Sequence, residues 1–179
     1  MIETERLILR RWRIEDAEAM YELCKDPDIG PKAGWAPHKD VVESKFIIEN
    51  VLTGPEAYAI CFKEDETKPI GCIELKMHCD HVKADDECEL GYWLGKPYWG
   101  QGIMPEAAKT LIKRAFTELG INRIWLCFYD GNNNSNRVSQ KLGFKYQWTH
   151  NEVDVPLLNK KSTEHGTMLT KEDAEGIYV

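Results

Sequence analysis

The sequence predicts a mixed α/β (α+β) fold: one domain over residues 1–179, with a central mixed, mostly antiparallel sheet of about seven strands and about four flanking helices. Three observations predict it. Short apolar runs of strand length recur along the whole chain. Two of them, 57–63 and 69–77, are separated only by the charged turn "EDETK", which reads as an antiparallel hairpin. A long amphipathic pattern then lies between two apolar runs, as in a strand–helix–strand crossover.

Taken in order, "RLILRRW" (6–12) is the first strand. Ala17, Met20, Leu23 and Cys24 recur at helical spacing, and Pro27 and Gly30 stop that helix. "PDIGPKAGWAPHK" is a Pro- and Gly-rich loop. A second helix starts near Asp40, with Glu43 placed for a capping box, and ends at Gly54-Pro55. Its inward residues are expected to be Val42, Phe46, Ile47, Val51 and Leu52. After the hairpin, "HCDHVKADDE" is a polar turn and "CELGYWL" (88–94) the fourth strand. The long helix buries Met104, Ala107, Ala108, Leu111, Ile112, Ala115, Phe116 and Leu119. "RIWLCFY" (123–129), apolar on both faces, is a central fifth strand. A turn and short helix in "DGNNNSNRVSQKL" follow, then a strand in "GFKYQWT", a polar loop over 150–163 and a last strand in "HGTMLT".

The informative stretch is "YWLGKPYWGQGIMPEAA", where a strand runs into two glycines and then a helix. A glycine-opened helix start binds phosphate: free N–H groups point outward, the helix dipole adds positive potential, and no Cβ blocks approach. Gly100, Gln101, Gly102, Ile103 and Met104 supply the donors. A dinucleotide fingerprint would need a third glycine where Pro105 stands, and no Walker-type lysine follows. A simple tight turn is the competing reading.

Four stretches taken together resemble the GNAT superfamily of acetyl-CoA-dependent N-acetyltransferases, and within it the ribosomal-protein alanine/serine N-acetyltransferase branch. They are "ETERLILRRW", "ELGYWLGKPYWGQGIMPEA", "NNNSNRVSQKLGF" and "TMLTKED". Pro97 stands where many members have Arg or Gln. The resemblance implies fourth and fifth strands that splay apart from a β-bulge, with Trp93, Leu94 and Gly95 offering their edge to a pantetheine arm. It implies that acetyl-CoA is the co-substrate and that its phosphates sit on Gly100 to Met104. It also implies that Asn132 contacts the pantetheine, with Lys141 a further cofactor candidate.

The implied reaction moves acetyl from a thioester to a primary amine by direct attack in a ternary complex. Glu89 is the candidate general base; the competing reading is a solvated strand-end carboxylate continuing Asp85, Asp86 and Glu87. Glu74 and His78 are reserves. Ser135 is the candidate donor to the departing thiolate, or else a helix N-cap. Trp35 is a candidate wall of the acceptor pocket, with packing as its alternative, and His38 reads as a surface or capping residue.

The net charge of −7 argues against a nucleic-acid partner and suits a cationic acceptor, either a protein N-terminus or a small amine. No apolar run approaches a membrane span. The six cysteines, none in C-x-x-C, read as reduced thiols of a cytoplasmic protein, monomer or homodimer. His78, Cys79 and His81 stand close together, but no second ligand pair has zinc spacing, so no metal is expected. The rival function is a non-catalytic acetyl-CoA-binding sensor or interaction module.

Overall fold

The computed structural model describes residues 1–176 and 178. The chain opens with β1 (Ile2–Glu3) and β2 (Leu7–Arg10), followed by α1 (Ala17–Cys24), α2 (Gly30–Ala33) and α3 (Val41–Asn50). Next come β3 (Ala57–Phe62), β4 (Asp65–Lys76), β5 (Glu87–Leu94), α4 (Ile103–Thr117), β6 (Arg123–Tyr129) and α5 (Asn133–Lys141). The chain closes with β7 (Lys145–Val155), β8 (Lys160–Thr170) and α6 (Lys171–Ala174). The strands form one sheet in the order β1-β2-β3-β4-β5-β6-β8-β7. Every pairing is antiparallel except β5 with β6.

The mixed, mostly antiparallel sheet stands as expected; the described residues form eight strands where about seven were predicted and six helices where about four were. The additions are short: β1 has two residues, and α2 and α6 have four each. Such elements carry too little periodicity to stand out in a sequence.

Three expectations are corrected. Residues 150–163 are not a polar loop: β7 and β8 pair through them, from His150↔Glu164 to Val155↔Lys160, around a tight turn at Pro156 to Asn159. Asn159 takes the left-handed conformation at φ 46° that closes the turn. The hairpin reads as loop because most of β7 is exposed on both faces and so lacks apolar alternation. The second correction concerns α3. Val42, Phe46 and Val51 are exposed, whereas Ser44 and Ile48 are buried. Its start was legible: Asp40 accepts the Glu43 N–H, and the Glu43 carboxylate reaches the Lys39 N–H. Third, no bulge interrupts the β4–β5 ladder, whose register is continuous from Lys76↔Glu89 to Gly71↔Leu94. The parting of β5 from β6 occurs on its other edge.

Alternation along the strands assigns the two faces of the sheet. Ile73 and Leu75 of β4, Cys88 and Leu90 of β5, and Ile124 and Leu126 of β6 pack with the α4 stripe from Ile103 to Phe116. Leu142 and Phe144, at and beyond the end of α5, join the same core. The opposite face meets α1 and α3 through a smaller cluster of Ala17, Met20, Cys24 and Ile48, with Trp12, Trp35 and Trp93 packed against it. Among the described residues no helix is long and apolar enough to cross a membrane.

One buried ion pair ties the start of this second face. The Arg10 guanidinium holds both Asp16 oxygens at 2.7 and 2.8 Å, with both side chains 3% exposed. Asp16 also accepts the Arg13 N–H. Removing one partner strands a buried charge. Asp16→Ala is therefore expected to lose about 3–5 kcal/mol in urea denaturation; a loss under about 1 kcal/mol would show that water reaches Arg10.

Candidate active site

Strands β5 and β6 pair over only three positions, Glu87↔Arg123, Cys88↔Ile124 and Glu89↔Trp125. Beyond them β5 stays on β4 and β6 stays on β8, so the two strands diverge and leave unpaired edges facing each other. A cleft of about 230 Å³ opens here, and it runs from the splayed strands to the start of α4.

Nine of the sequence-derived residues line this cleft: Trp93, Leu94, Gly100, Gly102, Ile103, Met104, Asn132, Ser135 and Lys141. Gly100 and Gly102 both have φ 75°, a conformation that costs an L-side chain about 1–2 kcal/mol. A Cβ on Gly100 would meet nothing within 4 Å, so the backbone conformation and open approach demand glycine there, not crowding. Gly102 caps α4 without a side-chain partner, leaving first-turn N–H groups free for an anion. The loop is anchored from outside. Arg6 donates to the Gln101 carbonyl at 3.2 Å and to Glu106 at 2.7 Å, and Thr4 donates to Glu106 as well.

Two expected cofactor residues lie off the cleft lining. Gly95 donates its N–H to the Ile70 carbonyl at 2.9 Å, so it belongs to the β4 ladder. Gln101 turns its amide onto the Pro97 carbonyl. Sequence reasoning passed over Lys32 and Arg137, which line the cleft with Lys141, three cations against the carboxylate Asp28. Arg137 and Lys141 sit four apart on α5, so their shared face was readable in the helical spacing. Tyr92 also lines the cleft.

On α5 the cap is Asn132, not Ser135. The Asn132 side chain accepts the Ser135 N–H at 3.2 Å and donates to the Lys32 carbonyl, tying α5 to α2. Ser135 therefore stands inside the first turn with its hydroxyl free for the cleft. Beside it lies the buried Tyr92 hydroxyl. Burial pushes the Tyr92 pKa up to about 12, with Ser135 opposing.

Glu89 occupies the last paired position, at the apex of the divergence. It is buried, 9% exposed, which contradicts the reading of a solvated strand-end carboxylate. Its Oε2 bonds His81 Nδ1 and lies 3.5 Å from Cys79 Sγ; its Oε1 takes Lys76 Nζ at 3.3 Å. His81 Nε2 reaches Glu164 at 3.3 Å. Burial pushes the Glu89 carboxyl upward, but His81 and Lys76 outweigh it and hold it below the usual range. His81 is raised, by hydrogen bonding to Cys127, Cys79, Glu164 and Glu89 against the cost of burial. Glu74, across from Gly91, is raised by burial.

His81 was noticed in the sequence only as part of "HCDH"; its contacts come from residues 8 and 83 positions away. His78 is exposed. Trp35 packs against Gly30, His38 and the edge of Trp93, outside the cleft lining. His38 is not at the surface: it is buried and bonded to Ser44 at 2.7 Å.

Residues 6–145 match the acetyltransferase (GNAT) domain model. The chain is 31% identical over 150 residues to an uncharacterized N-acetyltransferase p20 of Bacillus licheniformis, covering 79% of this chain and 80% of that one. It is 31% identical over 103 residues to the ribosomal-protein-serine acetyltransferase of Escherichia coli (strain K12), covering 56% and 55%. The fold is shared with Mycobacterium smegmatis RimJ in complex with CoA-disulfide, at a TM-score of 0.75 and 18% identity over 94% of this chain and 84% of that one. The chain belongs to the GNAT acetyltransferase family, and is an acyltransferase.

The capping assignment separates two neighbours. Asn132→Ala should cost about 1 kcal/mol of stability, whereas Ser135→Ala should leave the melting temperature nearly unchanged. Thermal unfolding of both variants checks it; equal losses would restore a capping role to Ser135.

Proposed function

We propose that this protein, one domain over residues 1–179, is an N-acetyltransferase that moves acetyl from acetyl-CoA to a primary amine in a ternary complex. The observation that carries the reading is the arrangement of three features around the divergence of β5 and β6. An unpaired strand edge stands in the middle, a glycine-opened helix start at one end, and Glu89 at the apex of the divergence.

The pyrophosphate would rest on the N–H groups from Gly100 to Met104, with Lys32, Arg137 and Lys141 near the remaining negative charge. The pantetheine amides would pair with the free edge of β5 at Trp93 and Leu94, as an added strand does. The acceptor would approach from the opposite face, where Glu74, Glu89 and Glu164 outnumber the cationic Lys76 and His81. That face suits an ammonium group. The relative named for ribosomal-protein serine supports a protein N-terminus as acceptor; a small-molecule amine fits the same charge pattern.

Glu89 would take a proton from the ammonium, directly or through water. The freed nitrogen lone pair attacks the thioester carbonyl, and an unpaired backbone N–H of β5 stabilises the oxyanion. Collapse expels the CoA thiolate, which receives a proton from the Ser135 hydroxyl with Tyr92 beside it, and the second proton released by the attacking nitrogen restores the serine hydroxyl. Six free cysteines support a reducing compartment such as the cytoplasm.

Two outcomes test this reading. Gly102→Glu adds a side chain at a left-handed position and a negative charge beside the pyrophosphate. Calorimetry with CoA should find affinity reduced at least about tenfold in the folded variant, the loss that ~1.4 kcal/mol of lost anion binding produces. Glu89→Gln should lower kcat/KM about 10²–10⁴-fold near neutral pH. Because an alkylammonium titrates near ~10, the deficit should shrink as pH rises and free amine accumulates. Near-wild-type activity of Glu89→Gln at pH 7 would remove Glu89 from the mechanism.

A further inference from the structure

The segment between β4 and β5 holds Cys79 and His81, which the acetyl-transfer mechanism does not use. The fold carries both onto Glu89. The Cys79 sulfur, the His81 nitrogen and the Glu89 oxygen all lie within 4.8 Å of one another. The loop supplies two ligands at i and i+2, and the next strand supplies the third. No spacing rule reveals such a set, because the carboxylate comes from the strand interior.

The Cys79–Glu89 separation suits one kind of ion, and the His81–Glu89 hydrogen-bond contact opens to admit it. With Zn–S of about 2.3 Å and Zn–O of about 2.0–2.2 Å, a tetrahedral centre sets sulfur and oxygen about 3.5–3.7 Å apart. Cys79 Sγ stands 3.5 Å from Glu89 Oε2. A thiol, an imidazole and a carboxylate make a borderline-soft set, which favours zinc over magnesium or calcium. The surroundings also match. His81 presents Nδ1 to the cluster while Nε2 meets Glu164 at 3.3 Å, the outer-shell carboxylate that orients a ligating imidazole. Lys76 occupies the other Glu89 oxygen, leaving Oε2 to the ion. Trp148 lies against the His81 ring, with centroids 5.6 Å apart, and restricts its rotation.

We propose that Cys79, His81 and Glu89 form a binding site for a zinc-class divalent cation, with a fourth position open to water, and that filling it stops acetyl transfer. The ion displaces the hydrogen shared by His81 and Glu89 and the thiol hydrogen of Cys79. It takes as a ligand the carboxylate that would otherwise accept the ammonium proton. This second half rests on Glu89 being the base.

Cobalt(II) titrated into the full-length, chelator-treated protein tests the site. One ion per chain should produce a thiolate-to-cobalt charge-transfer band, and zinc should erase it by displacement. Cys79→Ser should lose the band. His81→Ala should bind cobalt far more weakly, and Glu164→Gln about 10–100-fold more weakly. Cys127→Ser should keep the band, and circular dichroism verifies that each variant is folded. No band in the wild type, or a band that survives Cys79→Ser, overturns the site. In parallel, acetylated amine is measured with and without saturating zinc, each variant being compared with its own zinc-free rate. The wild type should slow at least tenfold and Cys79→Ser should not. If cobalt binds with the expected band but zinc leaves the wild-type rate intact, the inhibition is overturned. The metal site then stands, and the assignment of Glu89 as base falls.

Discussion

The architecture depends on a refusal to pair. After Glu89 and Trp125, β5 and β6 give up the hydrogen bonds that neighbouring strands normally share. Backbone N–H and C=O groups left open in a protein interior need partners from elsewhere. Everything around the gap is consistent with keeping it open. On one side β5 is held to β4 in unbroken register; on the other β6 is held to β8 over seven residue pairs. The α4 stripe packs across both halves from one face, so the divergence has a fixed floor.

Charge is divided across this gap in a way the net value of −7 conceals. Lys32, Arg137 and Lys141 line the cleft near the glycine loop. Glu74, Glu89 and Glu164 gather on the opposite face of the sheet with His81 and Lys76. An anionic co-substrate and a cationic acceptor would thus be drawn to different sides of one strand pair.

Which features were legible in the sequence follows from how each is encoded. The α4 stripe and the glycine loop are written locally, one as a 3.6-residue period over 15 residues, the other as consecutive letters. Both could be read without the fold. The β7–β8 hairpin was missed because exposed polar residues on both faces erase alternation. On α3, Val42, Phe46 and Val51 fit an apolar pattern but face solvent, while Ser44 turns inward to bond His38. Here tertiary packing, not hydrophobicity, chose the face. The surroundings of Glu89 were illegible because Lys76 and His81 reach it from separate segments and Glu164 joins only through His81. The exchange of capping roles between Asn132 and Ser135 shows the same limit at shorter range: three adjacent asparagines offer alternative helix starts that only the backbone distinguishes.

The three-pair seam between β5 and β6 also has a mechanical meaning. Eight strands are joined in one order, but the joint between the first five and the last three is short and sits at one end. Such a sheet has a compliant line through its middle, and local opening along that line needs few bonds to break. A ligand arm lying in the gap would act as a splint, bridging two blocks that the chain itself only tacks together. Rigidity of the whole sheet would then be a property of the loaded state, and the empty protein would be the softer material.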